Sequence, residues 1–259
     1  MKTEHLFTDQ DIAHFIVNGY HVLKLSPEDP VHEVIAQELD QLDSNPGDAI
    51  IEKVPDLKKI VDHPVLLGAL VSLLGKDFNR SSHAHWHCRT PGVSYQHWHQ
   101  DGTNQRHHQI KTLICMYYPR TVKGDMGPTV IVPGTHFRNQ PTTWMTNYYN
   151  IKGQVPLTLE GGSFVIGHYD LWHGALANTS DVKRHMVKLL FNRRSANEIP
   201  SWDHEAGSGK ESLDWNPSEK RTSVPDILTF SNPLRVGQSE LYKERAIRNS
   251  CWKWLCGKK

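Results

Sequence analysis

The chain is poor in several things, and each shortage removes a class of protein. Only four cysteines occur in 259 residues: Cys88, Cys115, Cys251 and Cys256. None stands in a paired CxxC spacing, and a chain of this length needs no disulfide framework, so all four are expected as reduced thiols. Cys251 and Cys256 flank WKWL, which is not the spacing of a zinc knuckle. Long apolar runs are missing too. The longest, VLLGALVSLLG at 65–75, is too short to span a bilayer. Neither sign of charge dominates: the net charge is +1, which steers the protein neither to nucleic acid nor to an anionic membrane. The opening MKTEHLFTDQD lacks the apolar core of a secretory signal and no peroxisomal tail is seen, so a cytoplasmic protein is expected. No internal repeat, low-complexity tract or HExxH motif is found, and a zinc hydrolase has little support.

What is present is a globular composition, 37% hydrophobic and 22% charged, in a length that suits one large domain. The periodicity changes part-way along. Thr8 is placed to cap a helix through DIAHFIVN, which Asn18-Gly19 ends. YHVLKL (20–25) reads as a strand. DPVHEVIAQELDQL (29–42) and DHPVLLGALVSLLG (62–75) read as helices, with Pro30 and Pro64 in their first turns. From about residue 77 the pattern alternates. Strands are predicted at 78–88, 94–100, 110–118, 128–132, 155–159, 162–168 and 184–193, punctuated by Pro91-Gly92, Gly127-Pro128, Pro133-Gly134 and Gly161-Gly162. So many short strands without intervening helices predict a sandwich or barrel. Residues 195–237 read as a long polar loop. Residues 239–257 read as a closing helix whose tryptophans pack on the barrel exterior.

The chemistry sits among 17 histidines. In HWHQDG (97–102), His97, His99 and Asp101 alternate, and alternate residues of a strand share a face. Two imidazoles and one carboxylate on one face leave open positions on an octahedral ion, an arrangement suited to non-haem Fe(II). A second such pair, His168 and Asp170, lies in GHYDLWHG (167–174) with His173 after it. Composition does not choose between the two. His83, His85 and His87 alternate as well and read as pocket or surface positions.

Three ordered motifs carry a resemblance. YQHWHQDG, MGPTVIVPGTH (126–136) and LEGGSFVIGHYDLWHGALANTSDVKRHMV (159–187) resemble the phytanoyl-CoA dioxygenase-like family of Fe(II)/2-oxoglutarate oxygenases. FTDQDIAHFIVNGYHVL and HPVLLGALVSLLG resemble its N-terminal elements, so the likeness covers roughly residues 7–195. It implies a mainly β (α+β) double-stranded β-helix, a jelly-roll, cupin-like barrel with N-terminal helices and a C-terminal helix packed outside. The layout would be one domain, 1–259: a helical part (1–76), a barrel core (77–195) and a C-terminal loop and helix (196–259). The resemblance implies His99, Asp101 and His173 as metal ligands. It implies Arg184 as the cation for the far carboxylate of 2-oxoglutarate, in keeping with the bidentate grip of guanidinium on carboxylates. Tyr117 matches an aromatic beside the cosubstrate, and Asn178 a turn-shaping asparagine. If Arg184 points inward, strand parity sends Met186, Lys188 and Leu190 inward too, and a lysine there needs an anionic partner. Lys188 is therefore a candidate to meet cosubstrate or substrate. Ala175 stands where the family often has serine, which removes one cosubstrate hydrogen bond. Asp101 is a carboxylate where related halogenases have a small residue, so the implied reaction is hydroxylation of a small molecule with O2, releasing succinate and CO2. A non-catalytic cupin-like module that binds a metal or small ligand is the alternative. Trp98, Trp144 and TTWMTNYYN (142–150) are candidates to cap an apolar group or to pack a loop.

Overall fold

The computed structural model describes residues 5–102, 107–138, 144–145, 150–205, 223–229 and 237–258. Local chemistry sets the first elements. Helix α1 (Asp9–Asn18) opens on a reciprocal capping box: the Asp11 amide donates to Thr8 Oγ1 at 3.2 Å and the Thr8 amide to Asp11 Oδ2 at 2.9 Å. It ends at Gly19, whose φ of 78° is left-handed and whose N–H returns to the Phe15 carbonyl. Strand β1 (Tyr20–Lys24) follows, then α2 (Val31–Asp40), α3 (Ile50–Lys53), α4 (Leu57–Val61) and α5 (Pro64–Leu74). The sequence pattern does not announce α3 and α4, which are too short to display a helical period.

Nine further strands are β2 (Phe78–Arg89), β3 (Gln96–His99), β4 (Thr112–Tyr118), β5 (Thr129–Ile131), β6 (Trp144–Met145), β7 (Val155–Pro156), β8 (Ser163–His168), β9 (His173–Ala175) and β10 (Arg184–Arg193). They form two antiparallel sheets, a major one in the order β1-β8-β4-β10-β2 and a minor one in the order β6-β3-β9-β5-β7. This is the jelly-roll architecture that the resemblance implies. The expected strand over 155–159 is cut to two residues. Beyond it the Leu157 amide goes to the Thr129 carbonyl, and Leu159 makes only an isolated bridge to Val122.

The three central strands of the major sheet, β8, β4 and β10, are buried on both faces, and alternation divides them. Leu113, Cys115 and Tyr117 of β4, Phe164 and Ile166 of β8, and Val187, Leu189 and Phe191 of β10 join the large core beneath the helices. Ile114, Met116, Tyr118, Val165, Met186 and Leu190 fill the barrel interior instead. This double burial is why β4 reads as an unbroken apolar run.

The segment expected as a long loop contains α6 (Val224–Leu228), followed by α7 (Gln238–Leu255). α7 packs mainly on α1 and α6. Trp252 meets Trp202 with ring centroids 5.6 Å apart, and only Trp254 reaches the end of β10, where the Arg193 guanidinium lies 4.4 Å over its ring. Trp98 is buried with Val130 and Val132. Apart from the β6 backbone, the expected cap at 142–149 lies outside the described residues. Among the described residues no helix is long and apolar enough to cross a membrane.

Candidate metal centre

His99 ends β3 and His173 begins β9, and the two are direct register partners in the minor sheet. Antiparallel partners present their side chains on the same face. Residues 74 positions apart in the chain thus bring their rings to a centroid distance of 4.2 Å. Asp101, two residues beyond His99, completes the group. Its Oδ1 is 3.8 Å from His99 Nε2 and its Oδ2 is 3.8 Å from His173 Nε2. One ligand atom from each residue lies within 4.8 Å of the others, and among the described residues this is the group of three that could hold a metal ion.

The donor set fits a divalent first-row ion. His99 Nδ1 donates to the His97 carbonyl at 2.8 Å, and His173 Nδ1 donates to the Leu171 carbonyl at 2.9 Å. Each bond fixes the tautomer that places the lone pair on Nε2, and both Nε2 atoms face Asp101. Burial, its strongest influence, holds His173 at about 4, and it also holds His99 below the ordinary histidine value. Both rings are therefore neutral near pH 7. Burial pushes the Asp101 carboxyl upward, but His173, Lys188 and His99 outweigh it and keep the group ionised.

Lys188 enters the same chamber. Its Nζ donates to Asp101 Oδ2 at 3.0 Å. The lysine that parity sends inward thus finds its anion on a different strand connection.

Arg184 stands at the start of β10 and is 2% exposed. Its Nη2 donates to the Gly127 carbonyl at 2.7 Å, while Nε and Nη1 are buried with no partner among the described residues. Burial lowers the guanidinium to about 10, still charged at neutral pH. A buried cation with two unsatisfied donors is prepared for a carboxylate.

Tyr117 does not join this chamber. It pairs in register with Val187 and lies on the helix side of the sheet, where its hydroxyl donates to His32 Nδ1 at 2.7 Å. His32 Nε2 is tied to the Leu25 carbonyl at 2.6 Å. The aromatic inside is its neighbour Tyr118, which sequence reasoning missed. The Arg184 guanidinium lies 5.9 Å from its ring, and its hydroxyl donates to Thr129 Oγ1 at 2.9 Å. The signal for Tyr118 is the register of β4 against β10, which only the folded sheet supplies.

The second histidine–aspartate pair has another position. Gln100 Nε2 donates to Asp170 Oδ1 at 2.9 Å, and a Cβ added at Gly102 would fall upon that same oxygen. His168 is buried behind it and accepts the Asp170 amide at 3.1 Å. Asp170 therefore props the loop that carries Asp101. A register shift in β3 between Gln96 and His99 interrupts the expected alternation, and His97, packed edge-on to Tyr95, is not in the three-residue group. Asn178 donates from Nδ2 to the carbonyls of Arg89 and Val182, each at 2.8 Å, and so ties its turn.

Comparison with known proteins adds three kinds of likeness. The Phytanoyl-CoA dioxygenase (PhyH) family profile matches residues 22–186. The uncharacterized protein Rv1501 of Mycobacterium tuberculosis is 28% identical over 141 residues, 54% of this chain and 50% of that protein, so the chain spans half the length of this curated relative. HygX from Streptomyces hygroscopicus, solved with nickel and 2-oxoglutarate bound, superposes with a TM-score of 0.62 at 14% identity, over 75% of this chain and 90% of that one. SnoK from nogalamycin biosynthesis, a non-heme alpha ketoglutarate dependent carbocyclase, gives 0.56 at 20% identity, over 74% and 86%. At these identities the two structures share the fold.

Proposed function

The chain belongs to the phytanoyl-CoA dioxygenase family, and from that premise we propose that it is an Fe(II)- and 2-oxoglutarate-dependent dioxygenase that hydroxylates a small molecule. The observation that carries the reading is the conjunction of the His99–Asp101–His173 group with a buried, half-satisfied Arg184 in one barrel. The metal group alone suits any divalent-ion module. The added guanidinium suits a dicarboxylic cosubstrate.

The overall balance is substrate C–H, O2 and 2-oxoglutarate in, and substrate C–OH, succinate and CO2 out. Iron, when bound, supplies the activation of O2. The protein supplies the rest. His99, Asp101 and His173 would hold the ion. The two unpartnered nitrogens of Arg184, Nε and Nη1, would orient the far carboxylate. Tyr118 covers the guanidinium with an aromatic face. Ile114, Met116, Val165, Met186 and Leu190 line the interior and keep water from the reacting carbon.

The test is succinate release from 2-oxoglutarate by anaerobically prepared, Fe(II)-loaded protein on exposure to O2. Turnover is expected, and His99→Ala and Asp101→Ala should abolish it, whereas His97→Ala should leave iron binding nearly intact. Iron and 2-oxoglutarate binding without oxygen consumption would assign the fold to a binding module instead. Loss of iron in His97→Ala equal to that in His99→Ala would make His97 a ligand and overturn the assignment.

A further inference from the structure

Beyond the metal group and Arg184, β2 and β10 present a polar wall to the chamber. Lys188 is the register partner of His85, Met186 of His87, and Arg184 of Arg89. Ala84 and Trp86, between these β2 residues, belong to the helix-side core, so His85 and His87 face the interior. Their rings stack at 4.3 Å with 18° between planes. Burial lowers both imidazoles, His87 to about 2, so the pair is neutral at physiological pH. His87 Nε2 is a buried atom with no partner among the described residues.

Charge then singles out Lys188. Its side chain is 11% exposed, and its anion is Asp101, the same carboxylate that would bind the metal. With a divalent ion and 2-oxoglutarate in place, the diacid and Asp101 bring three negative charges against four positive ones on the ion, Arg184 and Lys188. Arg89 is only half-buried and donates to the Ser94 carbonyl, so solvent screens its charge. The other carboxylate nearby, Asp170, is turned onto Gln100 and the loop at Gly102. A buried cation left with a share in a metal-bound carboxylate is poorly compensated. The cosubstrate does not reach it easily: Arg184 and Lys188 are four residues apart on one strand face, roughly 13 Å along the strand. A diacid held by Arg184 would point toward the metal group, and Lys188 lies on the Asp101 side of that group.

We propose that the substrate of this oxygenase is a small monocarboxylic acid, whose carboxylate pairs with Lys188 beside the His85–His87 wall. The assignment rests on the oxygenase reading above. A single negative charge matches the excess, whereas a phosphate monoester would overshoot it. The carboxylate end would be held close to the metal, so oxidation would fall on a carbon near the acid group.

The experiment is ligand-observed NMR on Zn(II)-loaded protein saturated with 2-oxoglutarate, using small carboxylic acids paired with their primary amides as probes. Acids should bind at least tenfold more tightly than their amides. Lys188→Met should remove that preference and Lys188→Arg should keep part of it, while 2-oxoglutarate affinity stays within threefold. Equal binding of acids and amides, a preference that survives Lys188→Met, or a tenfold loss of 2-oxoglutarate affinity in that variant would each overturn the assignment. Failure of the wild-type protein to bind metal or 2-oxoglutarate would instead overturn the oxygenase reading itself.

Discussion

Gly102→Ala isolates the support of the metal loop by a single methyl group. Gly102 has no left-handed φ, so alanine suits its backbone. The obstacle is Asp170 Oδ1, on which the new Cβ would land far inside the 3.0 Å that real Cβ contacts keep. Asp170 is 3% exposed and held by Gln100 at 2.9 Å, with His107 Nε2 at 3.5 Å, so it cannot swing aside without breaking these contacts. The loop must give way by on the order of 1 Å, a misplacement that at an active site costs on the order of 100-fold. Asp101 is the preceding residue and takes the shift directly. Affinity for Co(II), measured by calorimetry, should fall at least about tenfold, which is about 1.4 kcal/mol. Asp170→Ala removes the oxygen, so the double variant should lose less than the sum of the two single losses, by about 0.5 kcal/mol or more. If Gly102→Ala binds Co(II) within twofold of the wild type, or the two losses simply add, Asp170 does not position the metal loop.

Arg184→Met should remove two charge-assisted bonds at about 1.5–3 kcal/mol each, so 2-oxoglutarate affinity should drop about 100-fold or more. Titration of the anaerobic Fe(II) protein checks this, with metal affinity expected unchanged. A loss under threefold would detach Arg184 from the cosubstrate. Acid should weaken the metal-free fold through its buried imidazoles. His168 is held at about 4, chiefly by burial, against an ordinary 6.5. Between those values the unfolded chain binds a proton that the folded chain does not, so stability is full above pH 6.5 and falls as pH drops. His168 alone contributes a loss of about 2 kcal/mol at pH 5 relative to pH 8. Urea unfolding at both pH values measures it, and His168→Gln should flatten the dependence. An unchanged pH slope in that variant would show that His168 is not held neutral.

The inward course of Lys188 was legible because a strand repeats every two residues, whereas β3 shifts register before His99 and ends there, so Asp101 joins the group from beyond the strand. The partners were not legible. That His99 faces His173 depends on the register of β3 against β9, which no local pattern encodes. The same limit explains Tyr117. A strand buried on both faces gives neighbouring tyrosines equal apolar surroundings, so sequence cannot say which one looks inward. The second histidine–aspartate pair carries the same spacing as the first, and only tertiary position separates a prop from a ligand. The C-terminal tryptophans pointed to packing, but not to Trp202 and the α1–α6 surface as its main site.

The alternation along β10 has a consequence for how such a protein can change. Odd positions from Val187 to Phe191 anchor the helices, while even positions from Arg184 to Leu190 look into the chamber. The two sets share a backbone but almost no neighbours. A substitution at Lys188 or Met186 can therefore alter what the chamber accepts while the anchoring side stays intact. Insertion of one residue before Val187 would exchange the two sets and lose both at once. Chemical diversification on this strand proceeds in steps of two.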